Sequence, residues 1–132
     1  MPIFHHVRRK RNKAADWIAN KVMDEGQNYT RCEVENLSSF IGSLATGDDH
    51  LLHCRFDGGY RKLQNKASAG IRIQYSRIQS QVAKQVDLVQ MGNLLQPMDS
   101  FQSELEAALF ATTQTRIFWA KFLNFVVTSQ KS

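Results

Sequence analysis

The 132-residue sequence predicts an α/β domain in which helices flank a mixed sheet of about five strands. Three patterns lead to this prediction. The chain opens with a strand-like run and an amphipathic helix, three strand-like runs follow one another in its middle, and a helix and a last apolar run complete it. A chain of this length is expected to build a single core, so residues 1–132 are predicted to form one domain.

The first unit of the chain predicts a strand, a basic turn and a helix. Residues 3–7 are apolar and β-favouring, and a basic segment follows them directly. Over residues 14–22, apolar side chains recur at three- and four-residue spacing, which is the stripe of an amphipathic helix. Gly26 lies just past the last periodic residue and indicates where this helix ends.

The next segment, residues 27–51, is polar and mixed in character. A short apolar pattern inside it favours one amphipathic helix, formed around Leu37, Phe40, Ile41 and Leu44. We therefore predict a connector that contains a single short helix.

The middle of the chain predicts an antiparallel meander. Residues 51–57 form a strand-like run, and residues 69–75 and 82–91 alternate apolar with polar side chains. The first of these runs leads into Gly58 and Gly59, which predict a tight turn.

The last part of the chain predicts a helix and a strand. Pro97 interrupts the preceding pattern, and Ser100 is a suitable N-cap for a helix that runs to about Phe118. The apolar face predicted for this helix consists of Phe101, Leu105, Ala108, Leu109 and Thr112. Residues 122–127 form an apolar, β-branched run, and we predict that this last strand lies beside the strand of residues 3–7.

Charge and cysteine usage restrict the functional classes. The formal net charge is +5 with a pI of about 9.5, and basic residues crowd into the first part of the chain. Lys and Arg that neutralise phosphates gain affinity by releasing counterions, so a nucleic acid is a favoured partner. Cys32 and Cys54 lack metal-ligand spacing and predict reduced thiols. Without a secretory signal or an apolar run of ~20 residues, we expect an intracellular protein that makes no membrane contact.

Two acidic residues of the second half could act together. Asp57 ends the first strand of the meander, and Glu104 lies on the helix that follows it. A carboxylate at a strand end and one from a helix packed on the same sheet can point at the same place, and Mg²⁺ favours such hard oxygen ligands. Taken alone, Asp57-Gly58-Gly59 is equally compatible with an ordinary turn after a strand.

The opening segment carries a more specific motif. From His6 to Asn20 the chain reads His-Val-Arg-Arg-Lys-Arg-Asn-Lys-Ala-Ala-Asp-Trp-Ile-Ala-Asn. It resembles the closing strand, turn and helix of ribonuclease H domains, especially plant-type and retroelement-derived ones, whose pattern is His-Val-x-Arg-x-x-Asn-x-x-Ala-Asp-x-x-Ala-Asn. Every specified residue of that pattern falls in register here.

The second half resembles the opening of the same family. Phe-Asp-Gly-Gly at residues 56–59 is similar to the end of the family's first strand, and Ala-Ser-Ala-Gly-Ile at residues 67–71 to its second strand. Residues 100–108 are similar to its first helix, and residues 122–129 would form its fourth strand.

The resemblance therefore implies a ribonuclease H-like fold in permuted order. Residues 3–26 match the part that normally closes the domain, residues 27–51 are the connector, and residues 52–132 match the part that normally opens it. The chain is either a circular permutant tied through the connector or the junction of two tandem domains. Complementation between two chains in a homodimer is compatible with both explanations.

The resemblance also implies roles for individual residues. Asp57, Glu104 and Asp16 correspond to the acids that bind Mg²⁺ or Mn²⁺ and carry out catalysis in the family. The residues that would contact the substrate are Arg8, Arg9, Arg11, Asn12, Gly58, Gly59, Gln102 and Ser103. One position departs from the family, because Ser129 stands where its fourth strand ends in an acid that bridges two metal ions.

The function implied by this resemblance is metal-dependent hydrolysis of the RNA strand of an RNA–DNA hybrid. The 2′-hydroxyl would identify the RNA strand, and basic side chains would hold the phosphates. A degenerate nucleic-acid-binding domain without turnover is the alternative, because a serine at position 129 removes a bridging charge. A third interpretation is a folded but non-functional piece of a retroelement gene.

Overall fold

The computed structural model describes residues 2–5, 13–45, 51–79, 82–96 and 99–131. The elements run in the order β1 (Pro2–His5), α1 (Lys13–Glu25), β2 (Tyr29–Cys32), α2 (Val34–Ala45), β3 (Leu51–Arg61), β4 (Lys66–Gln79), β5 (Val82–Leu95) and α3 (Ser100–Lys131). The predicted α/β class is confirmed. Among the helices described, none combines the length and the apolar character needed to cross a membrane.

One sheet contains all the described strands, in the order β1-β3-β4-β5-β2. Strands β3, β4 and β5 form the predicted antiparallel meander, and β1 pairs with β3 in parallel. Strand β2, which lies in the predicted connector and was not expected, extends the sheet by pairing antiparallel with β5. The amide N–H of Glu33 donates to the carbonyl of Leu88 at 3.0 Å and continues this pairing to the start of α2.

The turn predicted at Gly58 and Gly59 is wrong, because β3 runs through both residues to Arg61. The chain reverses over residues 62–65 instead, where Asn65 adopts a φ of 52°. Asn tolerates this left-handed conformation better than most residues with a Cβ atom. The two glycines are therefore strand residues, and the reason for their small size lies in what packs on them.

The strand predicted over residues 122–127 is also wrong. Helix α3 continues through this segment to Lys131, so the strand of residues 2–5 pairs with β3 and not with a C-terminal strand. No Gly or Pro interrupts the sequence of α3. The weak β preference of its branched residues did not overcome propagation of an established helix.

The helices cover both faces of the sheet. Neighbouring residues of a strand point to opposite faces, and Gly58 lies under α3 whereas Gly59 lies under α1. Helix α2 shares the α3 side, because Phe40 packs against Tyr75 at 5.1 Å and against Phe118 at 6.2 Å between ring centroids. The apolar core lies on this side and consists of Phe40, Leu52, Cys54, Ile71, Ile73, Tyr75, Leu88, Val89, Ala111 and Phe118.

Helix α3 turns a different face to the sheet from the one predicted. Its buried residues are Ser103, Ala107, Ala111, Thr115 and Phe118. The predicted apolar face points outward, with Phe101, Leu105 and Leu109 all more than half exposed. Small side chains allow a helix to approach a sheet closely, and here this closeness outweighs the burial of larger residues.

The start of α3 also differs by one residue from the prediction. Asp99 caps this helix in place of Ser100, since its carboxylate accepts a hydrogen bond from the Gln102 amide at 2.7 Å. The Ser103 amide donates to the Asp99 carbonyl at 3.1 Å.

Gly70 provides a test of the helix–sheet contact. We expect Gly70→Ala to lower the free energy of unfolding by about 3 kcal/mol, because the added Cβ would overlap the Ala15 carbonyl oxygen and lie 2.9 Å from the Ala19 nitrogen. Urea denaturation followed by circular dichroism measures this change.

Gly42→Ala is the matched control. No atom lies within 4 Å of the added Cβ, and the site is on the exposed side of α2. This substitution should stabilise the chain by roughly 0.5–1 kcal/mol. Equal effects of the two substitutions would contradict the packing described for α1.

Candidate metal centre

Asp57 lies at the middle of the candidate site. It is paired with Gly70 across the β3–β4 ladder and shares that residue's face of the sheet, the face covered by α1. Pairing between β1 and β3 ends at Arg55, two residues before Asp57. The Asp57 side chain is 8% exposed, which is unusual for a carboxyl group that no cation accompanies.

Helix α1 brings the second carboxyl group to this place. Its first turn lies directly over Gly70, where a Cβ atom would collide with the carbonyl oxygen of Ala15, and Asp16 is the next residue. Two hydrogen bonds hold the helix down: the Ser68 hydroxyl donates to the Ala19 carbonyl at 2.7 Å, and the Lys66 ammonium donates to the Met23 carbonyl at 3.1 Å. The position of Asp16 is therefore set by backbone contacts of α1.

Helix α3 brings the third carboxyl group from the opposite side of the sheet. A Cβ atom on Gly58 would lie 2.5 Å from the carbonyl oxygen of Ser103, so the first turn of α3 rests on the strand backbone. The Ser103 hydroxyl donates to the Gly59 carbonyl at 3.3 Å. Glu104, the next residue, interacts with Asp57.

The three carboxyl groups influence one another directly. Burial, a hydrogen bond to Asp16 and the negative charge of Glu104 together raise the pKa of Asp57 from 3.8 to about 7. A hydrogen bond between two carboxyl groups requires one of them to be protonated, and the protonated Asp57 is the donor that these shifts favour. The structure thus brings together Asp16, Asp57 and Glu104, which the sequence predicts as a cluster.

The donor chemistry of this carboxyl cluster fits a hard divalent cation. All the groups are carboxylates, and Mg²⁺ is typically held by one or two carboxylates together with water and substrate oxygens. Within the described ranges, however, no group of three or more His, Cys, Asp or Glu residues is arranged around one metal-sized position. The carboxyl groups face one another through shared protons, and a cation would replace those protons as their common partner.

The other predicted site residues have different fates. Arg8, Arg9, Arg11 and Asn12 lie outside the described residues. Gln102 is exposed at the start of α3, whereas Ser103 is buried and fixes that helix to the strand. Both Gly58 and Gly59 are partly covered by helices, the second by Met23 and Ser68.

Ser129 is far from the cluster, which corrects the prediction that it ends a strand at the site. It belongs to the same helix as Glu104. At about 1.5 Å per residue, the two positions are roughly 37 Å apart along the helix axis. Ser129 therefore does not occupy the place of a missing metal ligand.

Sequence reasoning missed two glycines that shape the site. Gly70 and Gly92 are paired on β4 and β5, and both lie under α1, with Ile18 close to Gly92. Their signal was present, since a glycine inside an alternating strand often marks a close approach of another backbone.

Comparisons with known proteins found no counterpart: no family model, no curated protein and no solved structure matches this chain. The functional interpretation therefore depends on the carboxyl cluster and on the elements that hold it.

The raised pKa of Asp57 predicts how stability depends on pH. Between pH 3.8 and about 7 the folded chain keeps a proton that the unfolded chain has lost, so the free energy of unfolding should fall as the pH rises through this window. Asp57→Asn removes this titration and should flatten the profile. Urea denaturation at a series of pH values measures it.

Asp24→Asn is the control, because Asp24 forms only an exposed ion pair with Arg61 and should leave the profile unchanged. Adding Mg²⁺ above pH 7 should stabilise the original chain more than the Asp57 variant. A profile that is identical in all three chains would argue against the proton-sharing arrangement.

Proposed function

We propose that this chain is a ribonuclease H-like, metal-dependent nuclease that hydrolyses the RNA strand of RNA–DNA hybrids. One observation carries the proposal. Asp16 and Glu104 arrive from helices on opposite faces of the sheet and meet the same strand residue, Asp57. These are the three positions at which the resemblance of the sequence implies metal ligands, although Asp16 precedes the other two along the chain.

The arrangement of elements supports the same proposal. A three-stranded antiparallel meander carries the central acid on its first strand, a helix follows the meander, and a parallel strand adjoins the first strand. The helix that the motif of residues 6–20 implies as the closing helix, α1, packs on the other face. A circularly permuted single domain accounts for this packing more directly than the junction of two tandem domains, because the segments lie on one sheet.

The chemistry of the site follows from its charge. Three clustered acids that are deprotonated repel one another, and this repulsion favours binding of Mg²⁺ or Mn²⁺. A bound divalent cation would activate water and stabilise the leaving oxygen of a phosphodiester. Asp57 would be the central ligand, while Asp16 and Glu104 would hold the cation from either side on rigid helices.

Substrate binding would depend on basic side chains. The chain carries 17 Lys and Arg against 12 Asp and Glu, and the predicted phosphate contacts are Arg8, Arg9 and Arg11. Recognition of the RNA strand would come from its 2′-hydroxyl groups.

A second candidate function is binding of nucleic acid without turnover. It is favoured by a specific observation, namely that Ser129 lies within α3 and that no acid replaces the bridging ligand in the part of the chain described here. Without a bridging carboxylate, the separation of two cations is not fixed, and hydrolysis becomes slow.

A cleavage assay distinguishes the two candidates. With a labelled RNA–DNA hybrid and Mg²⁺ or Mn²⁺, the original chain should cleave the RNA strand, and Asp57→Asn should reduce the rate by roughly a hundredfold or more. Asp24→Asn, which lies away from the cluster, should retain the activity. Binding of the hybrid without cleavage by any variant would favour the second candidate.

Salt dependence tests the predicted phosphate contacts independently of catalysis. Replacing Arg8, Arg9 and Arg11 with Ala should weaken hybrid binding and reduce the slope of log K against log salt by about 0.7–0.9 for each phosphate that is no longer neutralised. Arg31→Ala serves as a control for the removal of positive charge on β2, where the side chain pairs with Glu33. An unchanged slope in the triple variant would remove the basic turn from the binding surface.

A further inference from the structure

The side of α3 that faces away from the sheet carries an unusual concentration of apolar surface. Phe101 is 71% exposed, Leu105 55%, Leu109 59% and Ile117 44%. We name this side the outer face of α3 and define it by Phe101, Leu105, Glu106, Leu109, Thr113, Arg116 and Ile117. All of these residues are exposed.

The exposed apolar area is sufficient for the centre of a protein interface. At these exposures the four apolar side chains present about 400 Å² per copy, roughly half of what each partner contributes to a standard-sized interface. The polar members of the outer face would add to this area. Apolar patches of this size on a soluble chain mark interaction surfaces.

Charges on the outer face identify the partner. Glu106 lies towards the start of the helix and Arg116 towards its end, and neither forms an ion pair within the part of the chain that the structure describes. A surface with one charge at each end is complementary to itself when a second copy lies antiparallel to it. Parallel pairing would instead place Glu106 against a second Glu106.

We propose that two copies of this chain associate through the outer faces of antiparallel α3 helices, related by a twofold axis close to residue 111. This register places Glu106 beside Arg116 of the partner subunit. The same register places Leu105 beside Ile117 of the partner subunit and Leu109 beside Thr113 of the partner subunit. An interface of this kind uses the same patch on both copies, as closed dimers do.

The dimer leaves the carboxyl cluster accessible. Glu104 precedes Glu106 by two residues, which corresponds to roughly 200° around a helix, so the two side chains project to different sides of α3. The proposal is therefore independent of nuclease activity and can fail or succeed without it.

Sedimentation equilibrium over a dilution series of the full chain measures the association. We expect a reversible dimer, and Leu109→Glu should raise its dissociation constant by at least about tenfold because it places a charge in the apolar centre. Leu63→Glu is the matched control, since Leu63 is fully exposed in the β3–β4 turn and lies outside the outer face. This control should leave the dissociation constant unchanged.

Charge reversal tests the antiparallel register. Glu106→Arg alone and Arg116→Glu alone should each weaken the dimer, whereas the double variant should restore it, because each reversed charge then meets the other. Glu35→Arg, on the exposed part of α2, controls for the change in net charge. Urea denaturation of each variant verifies that the fold is intact.

Three results would overturn the proposal. The chain could be monomeric at every concentration, Leu109→Glu could associate as tightly as the original chain, or the double charge reversal could fail to restore what the single reversals weaken. The last result would exclude the antiparallel register even if a dimer formed.

Discussion

The close approach of two helices to the sheet is the contact on which the rest of this structure depends. Gly58 admits the backbone of α3 on one face, and Gly59, Gly70 and Gly92 admit α1 on the other. Any side chain larger than hydrogen at these positions would separate a helix from the sheet by a distance that densely packed interiors do not tolerate. Because Asp16 and Glu104 adjoin these contact points, the same glycines determine where their carboxyl groups lie.

The two faces of the sheet have different tasks. The side shared by α2 and α3 contains the large apolar side chains, among them Phe40, Tyr75 and Phe118, and supplies most of the hydrophobic stabilisation. The α1 side has small residues and backbone hydrogen bonds, including those made by Ser68 and Lys66. A cluster of acids opposes folding by mutual repulsion, so a well-packed opposite face is what allows such a cluster to persist.

Local sequence patterns predicted the elements whose cause is local. The stripe of α1 and the alternation of β4 and β5 are visible within single windows of sequence, and Gly26, with a φ of 65°, ends α1 where its position indicates. The errors arose where tertiary contacts decide. Gly58 and Gly59 resemble a turn until the helices that cover them are known.

The errors on α3 have the same origin. Phe101, Leu105 and Leu109 resemble a buried stripe until a row of smaller residues proves to face the sheet. Residues 122–127 favour a strand by composition alone, yet they continue a helix that began more than twenty residues earlier. The grouping of Asp16 with Asp57 and Glu104 was predictable only from the resemblance, since no periodicity relates acids so distant along the chain.

That distance along the chain has a consequence for how the protein folds. The meander and α3 are consecutive, so Asp57 and Glu104 can come together through contacts formed among neighbouring elements. Asp16 joins them only when α1 docks across β4 and β5, a step that closes a long loop and is slow for that reason. The order of assembly therefore separates an early, two-acid intermediate from the complete site, and the first helix acts as the last component to engage.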